Sequence, residues 1–220
     1  MGVSGGVVET WGDLSGKNRN YSAPVGNEPN YIVSDVNWDG KPSISWTGAL
    51  KWLESDDVAG TWNFLHDGTG GCVFTVYRVI AGTEMLLANS GSAAQVGIRL
   101  FGSVAGNQRI SVAAAGAPLV VSNDIANVFN TKLYGMYAYL EGRPGNEWRH
   151  DVLGVSNTGD STNAPSASDP AALMHIGIRT TEASQAMNGE IMEVIFASVY
   201  PTTQQFSLMA AYLLARYGLS

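Results

Sequence analysis

Apolar residues come in short runs along this chain, most of them too short for helices. Runs rich in Val, Ile, Tyr and Phe recur at 5–11, 42–47, 72–81, 84–89, 95–102, 108–114, 117–121, 132–141, 147–153, 173–179 and 189–199. Their composition and length are those of β-strands. Turn sequences such as AGTE, FGSVAGNQ, AAAGAP and EGRPGN stand between them, where Gly and Asn adopt the backbone angles a tight reversal needs. Two runs are apolar at both parities. Phe74, Val76 and Ile80 oppose Val73, Tyr77 and Val79, while Leu133, Tyr137 and Tyr139 oppose Tyr134, Met136 and Leu140. Successive strand side chains point to opposite faces, so both strands are expected to be covered on both sides. About eleven strands joined by hairpin-length turns predict an all-β protein, two antiparallel sheets face to face.

One segment breaks this rhythm. In PTTQQFSLMAAYLLARYG, residues Phe206, Met209, Ala210, Leu213, Leu214 and Tyr217 recur at helical spacing. Thr202 and Gln205 form a capping box, and Gly218 supplies a left-handed stop. The pattern predicts one C-terminal α-helix over 202–217, packed on the sandwich. The stretch 154–171, GVSNTGDSTNAPSASDPA, carries almost no bulky apolar side chain and is expected to be a long polar surface loop. Nothing repeats and no second core is evident, so a single domain over 1–220 is expected.

Composition narrows the function. A chain of 220 residues, 45% hydrophobic, buries roughly 70% of its unfolded surface and needs no metal or disulfide staple. The 26 glycines are scattered, which fits many tight turns. Net charge is −7, and the twelve basic residues form no cluster, so no nucleic-acid partner is expected. A single cysteine cannot close an internal disulfide. No stretch near the N-terminus reads as a signal peptide. Arg78, Glu84, Arg99 and Glu141 interrupt the apolar stretches before the roughly 20 residues of a membrane span, so no insertion is expected.

Candidate chemistry is sparse. A glycosidase needs two carboxylates flanking one bond. Glu190 and Glu193, three apart on a strand, are expected on opposite faces; Glu54 and Asp56 share parity, but Val58 stands where a third acid would complete E-x-D-x-E. His66 and Asp67 beside Cys72 suggest a base, its orienter and a nucleophile. Neighbouring turn residues diverge, however, and Asp67-Gly68 is a common turn dipeptide. A cysteine opening an apolar strand is expected to be buried and inert. His66, His150 and His175 lack zinc-ligand spacing. No catalytic residue is assigned.

The order of short motifs resembles concanavalin A-like, laminin-G-like jelly-roll domains. Trp11, Asp13, Ser15 and Gly16 match a W-x-D-x-S-G segment, and Pro29 and Tyr31 a P-x-Y. Asp39, Gly40, Pro42, Ile44, Trp46 and Gly48 match the next strand. FLHDGTGGCVFTVYRV is similar to the turn before the family's long central strand. The closing strand and helix match too, with Arg216, Tyr217 and Gly218 in the usual tail position. The likeness fades between 82 and 170. Such domains usually begin with a further strand, and only ten residues precede Trp11. The resemblance therefore implies that this strand is omitted, trimmed away, or supplied by another chain through strand addition.

The resemblance implies a jelly-roll sandwich of the kind found in lectins, matrix proteins and tailed-bacteriophage structural proteins, the HDG turn and terminal helix being most similar to the phage and bacterial-surface versions. The implied function is a non-enzymatic virion module, a capsid decoration or fibre-associated piece assembled in the host cytoplasm, contacting other virion proteins or itself and weakly binding surface glycans. A lectin-like receptor-binding domain is the alternative, and a polysaccharide-degrading glycosidase a further one. Trp11, Trp46 and Trp62 sit in strand-like contexts and are expected in the core. Trp38 with Asp39 and Trp148 with Arg149 lie near turns and are the candidate glycan platforms. Sandwich lectins often hold calcium with loop oxygens, which Asn157, Asp160, Asn163 and Asp169 could supply. No other cofactor is implied.

Overall fold

The computed structural model describes residues 1–47, 50–80, 82, 84–90, 95–104, 107–114, 117–123, 129–161, 165–179 and 185–219. The chain opens with a hairpin. Gly2–Ser4 (β1) folds back on Val7–Trp11 (β2) through Gly5 and Gly6, both at positive φ (57° and 82°). That is the two-residue turn that suits the twist of paired strands. The expected strand at 5–11 therefore begins as a turn.

Short strands follow: Tyr21–Ser22 (β3), Asn30–Ile32 (β4), Ser43–Ser45 (β5) and Leu53–Ser55 (β6). The longer ones are Gly71–Val79 (β7), Glu84–Ala88 (β8), Gly97–Val104 (β9), Asn107–Ala114 (β10), Ala117–Asn123 (β11) and Lys132–Tyr139 (β12). Trp148–Val152 (β13), Val155–Gly159 (β14), His175–Ile176 (β15) and Gly189–Ala197 (β16) complete the strands, and Thr203–Tyr217 is the helix (α1).

The ladder runs β11-β10-β9-β8-β15-β6-β3 in one layer and β16-β7-β12-β13-β14 in the other, with β2, β4 and β5 linking them at one end. All these strand pairs are antiparallel. Val73 and Tyr77 of β7 share one apolar cluster with Leu87 of β8, Ile98 and Leu100 of β9 and Ile176 of β15, so the two layers pack face to face. The architecture is an antiparallel jelly-roll sandwich with one C-terminal helix.

Both faces of β7 are covered, as its two apolar parities require. Val73, Tyr77 and Val79 enter the sandwich core; Cys72, Phe74 and Val76 enter a second cluster beneath α1, with Phe206, Leu213 and Tyr217. Each large apolar side chain buried there contributes roughly 1.5–3 kcal/mol. The helix starts where its capping box predicts. The Thr202 hydroxyl accepts from the Gln205 amide, the Gln205 side chain accepts from the Thr202 amide, and Gly218 closes the helix at φ 64°.

Three further expectations change. The segment 154–171 is not loop throughout, because 155–159 pairs with β13 as β14. The run at 173–179 forms ladder strand only at His175–Ile176. Trp62 reaches the core from a 3-10 helix, Ala59–Leu65, rather than from a strand.

Candidate functional site

The turn before β7 is a structural unit. His66 closes the 3-10 helix and is fully buried, and its Nδ1 donates to the Ser166 carbonyl at 2.9 Å. Burial lowers its pKa, since an imidazolium there would lose its water. Asp67 turns the other way and accepts from the amide and hydroxyl of Thr69 at 2.8 and 2.6 Å. Cys72 is buried between β12 and β16, and desolvation pushes its thiol up to about 12. A thiol held protonated is no nucleophile at neutral pH. The three residues make a turn and a core strand, as the spacing predicts.

The acids of β16 depart from expectation. A bulge at Met192 sets Glu190 opposite Arg78 and Glu193 opposite Val76. One extra residue cancels the odd spacing, so both carboxylates lie on the helix side of the sheet. Each has its own partner. Glu190 accepts two bonds from Arg78, at 3.0 and 2.8 Å, and burial raises its pKa against that ion pair's pull. Glu193 accepts from Tyr217 Oη at 2.8 Å, with Arg216 at 3.7 Å. Glu54 meets His175 Nε2 at 2.8 Å across β6 and β15.

The expected glycan residues are scattered. Trp38 is not exposed: it lies fully buried under α1, edge-on to Tyr217 at 6.3 Å. The turn beside it forms as predicted, with Asp39 and Gly40 at positive φ, and Asp39 pairs with Lys132 at 2.8 Å on the surface. Trp148 and Arg149 are successive residues of β13 and leave on opposite faces. Arg149 stacks over Phe206 at 4.3 Å and bonds Ser156, which also donates to Asp151. Trp148 packs half-buried at the margin of the sandwich core. Its indole lies against Gly159, where a Cβ would come within 2.7 Å of Cζ2, and its Nε1 donates to the Asp160 carbonyl at 3.3 Å. The neighbouring Glu147 carboxylate binds the amides of Gly142 and Ser161.

The calcium candidates sit on two parts of the chain. Asn157 sits in β14, Asp160 just beyond it, and Asp169 accepts from Asn63 at 2.8 Å beside the 3-10 helix. Asn163 lies outside the described residues. No group of three or more His, Cys, Asp or Glu suited to a metal ion is found among the described residues.

One feature escaped the sequence reading. A groove of about 580 Å³ lies between β16 and the loop from Gly12 to Arg19, lined also by Trp62 and Tyr217. Arg19 covers Trp62 and Phe64 there, with its guanidinium 5.6 and 6.0 Å from the ring centres. No local motif announces a groove between residues so far apart in the chain. The only hint is a loop that places Lys17 and Arg19 directly after a W-x-D segment.

No protein-family model matches the chain, and no curated protein matches it. Solved structures share its fold. The CBM40 of the Ruminococcus gnavus IT-sialidase, bound to α2,3-sialyllactose, is 12% identical over 68% of this chain and 85% of its own, with a TM-score of 0.54. An arabinofuranosidase complexed with arabinofuranosyl-α-1,2-xylobiose is 12% identical over 96% of this chain and 51% of its own, TM-score 0.61. The binding domain of botulinum neurotoxin serotype G is 8% identical over 94% and 51%, TM-score 0.60. This chain therefore spans about half the length of the last two. At such identities the likeness is one of fold.

Proposed function

We propose that this chain is a non-enzymatic attachment module that grips glycans around Trp148. The observation carrying this reading is the setting of that side chain. A half-buried indole rests on a glycine at the edge of the sandwich, held by Asp160 and bordered by the carboxylate of Glu147. Sugars stack on aromatic faces and hydrogen-bond to such a rim. The absence of chemistry is part of the proposal: Glu54, Glu190 and Glu193 each have a partner that orders the fold. A sialyllactose-bound module among the structures of similar fold supports the glycan reading by analogy.

The finer proposal places the module on a tailed-phage particle, as a capsid decoration or fibre-associated piece. It is supported by the order of motifs from Trp11 to Gly218.

A glycan array, probed with and without calcium, tests the binding. At least one glycan class is retained, Trp148→Ala weakens it roughly tenfold, and no reducing ends are released from it. No hit in either condition, or measurable hydrolysis, overturns the reading. Mass spectrometry of purified particles tests the location; glycan binding by a protein absent from particles would make it a free-standing lectin.

A further inference from the structure

Strand β16 is paired along its length on one side only. Its inner edge follows β7 from Gly189 opposite Val79 to Ala197 opposite Cys72. Its outer edge meets β5 at Glu190 and Ile191, and no described strand pairs with it beyond. Burial divides at the same place. Residues 189–191 are buried and 192–197 are partly exposed, although Val194 and Phe196 pack on the sandwich core and Ile195 and Ala197 on the second cluster. A strand packed on both faces with one bare edge leaves backbone donors and acceptors open to another strand.

Natural edges are usually blunted by charge, proline or a bulge. Here the bulge and Glu193 guard only the first part. Val194-Ile195-Phe196-Ala197-Ser198-Val199 contains neither charge nor proline. The groove described above runs along this edge, with Leu14 fully exposed and Val199 56% exposed among its lining. An apolar hollow of about 340 Å³ continues from Ala197 and Val199 to Leu208 and Tyr212.

At sheet spacings a strand residue occupies roughly 160 Å³, so a groove of about 580 Å³ holds about four. Because the loop from Gly12 to Arg19 stands over the same space, one extended segment fits where the edge of a second folded sheet, with its neighbouring strands, does not. Charge selects among segments. Lys17, Arg19 and Arg216 line the groove against Asp13 and Glu193. The Asp13 carboxylate is occupied by Ser15 and the amides of Lys17 and Arg19, and that of Glu193 by Tyr217. Arg19 is paired with Asp57 and Arg216 with Glu193, which leaves Lys17 in no ion pair among the described residues and open to an acid on the incoming segment.

We infer that the outer edge of β16 takes up one extended peptide segment of a partner protein, apolar at alternate positions and carrying an acidic residue, as an added strand. Main-chain bonds supply the affinity and the alternating side chains the selectivity. This site is distinct from the Trp148 platform and does not depend on it.

Backbone amide exchange of the full chain, with and without the capped peptide TVDVTV, tests this. Millimolar peptide slows exchange at 192–199 about tenfold, and the same peptide N-methylated at alternate amides does not. Lys17→Glu weakens TVDVTV about threefold and leaves TVNVTV unchanged. Unaltered exchange at millimolar peptide, or equal protection by the N-methylated probe, overturns the added strand. Equal effects of Lys17→Glu on both peptides overturn the acidic preference. Protection without peptide, at the mass of two chains, gives the edge to a second copy and overturns the partner.

Discussion

His150 is wholly buried in β13, where desolvation lowers its pKa to about 4 against the pull of Asp151. The unfolded chain binds that proton near the ordinary value of 6.5. The stability held by the neutral ring is therefore complete above about pH 6.5 and is lost as pH falls through about 4. Urea midpoints should decline over this window, and His150→Gln should flatten the decline. His66 shifts in the same direction, so some slope remains. Glu190 shifts the opposite way and loses stability as pH rises, but it cancels when the variant is compared with wild type. Individual residues were legible where a neighbour along the chain decides their role. Asp67-Gly68 made its turn because the Asp67 side chain caps the amide two residues on. Trp38 was not legible: its turn formed as read, yet the indole faces Tyr217 from a helix far along the chain.

At the scale of elements, the helix and the central strands were readable from period alone. The capping box binds Thr202 to a residue three positions on, so it is written locally. Thr202→Ala should cost about 1 kcal/mol in denaturant unfolding, since it orphans a helix-end amide. Strand β7 was equally plain, because apolar residues at both parities require cover on both faces. The bulge in β16 was not, and it reversed the expected divergence of Glu190 and Glu193. A bulge is a mismatch between two strands, and neither strand carries it alone. Strand β14 was missed for a related reason. Its polar residues gain ladder bonds to β13 without needing apolar burial, as their mostly exposed pattern shows.

Across the whole molecule, one strand, β7, is a wall of both cores, and β12 shares that duty through Leu133 and Tyr137 on one side and Tyr134 and Met136 on the other. Loss of α1 would uncover a face of the sheet whose other face is the sandwich core. Unfolding should accordingly be one cooperative transition, with aromatic and backbone circular dichroism superimposing; a helix melting first would separate the curves. The sequence by itself determined the class of fold, the helix with its caps, and the doubly covered strands, because periodicity and capping act over a few residues and burial follows from them. Tertiary structure alone decided which tryptophans stay near the surface, which side of β16 its acids take, and that beyond Ile191 its outer edge meets no described strand. Each of these depends on a partner element distant in the chain, and such pairings arise only when the sheets close on one another.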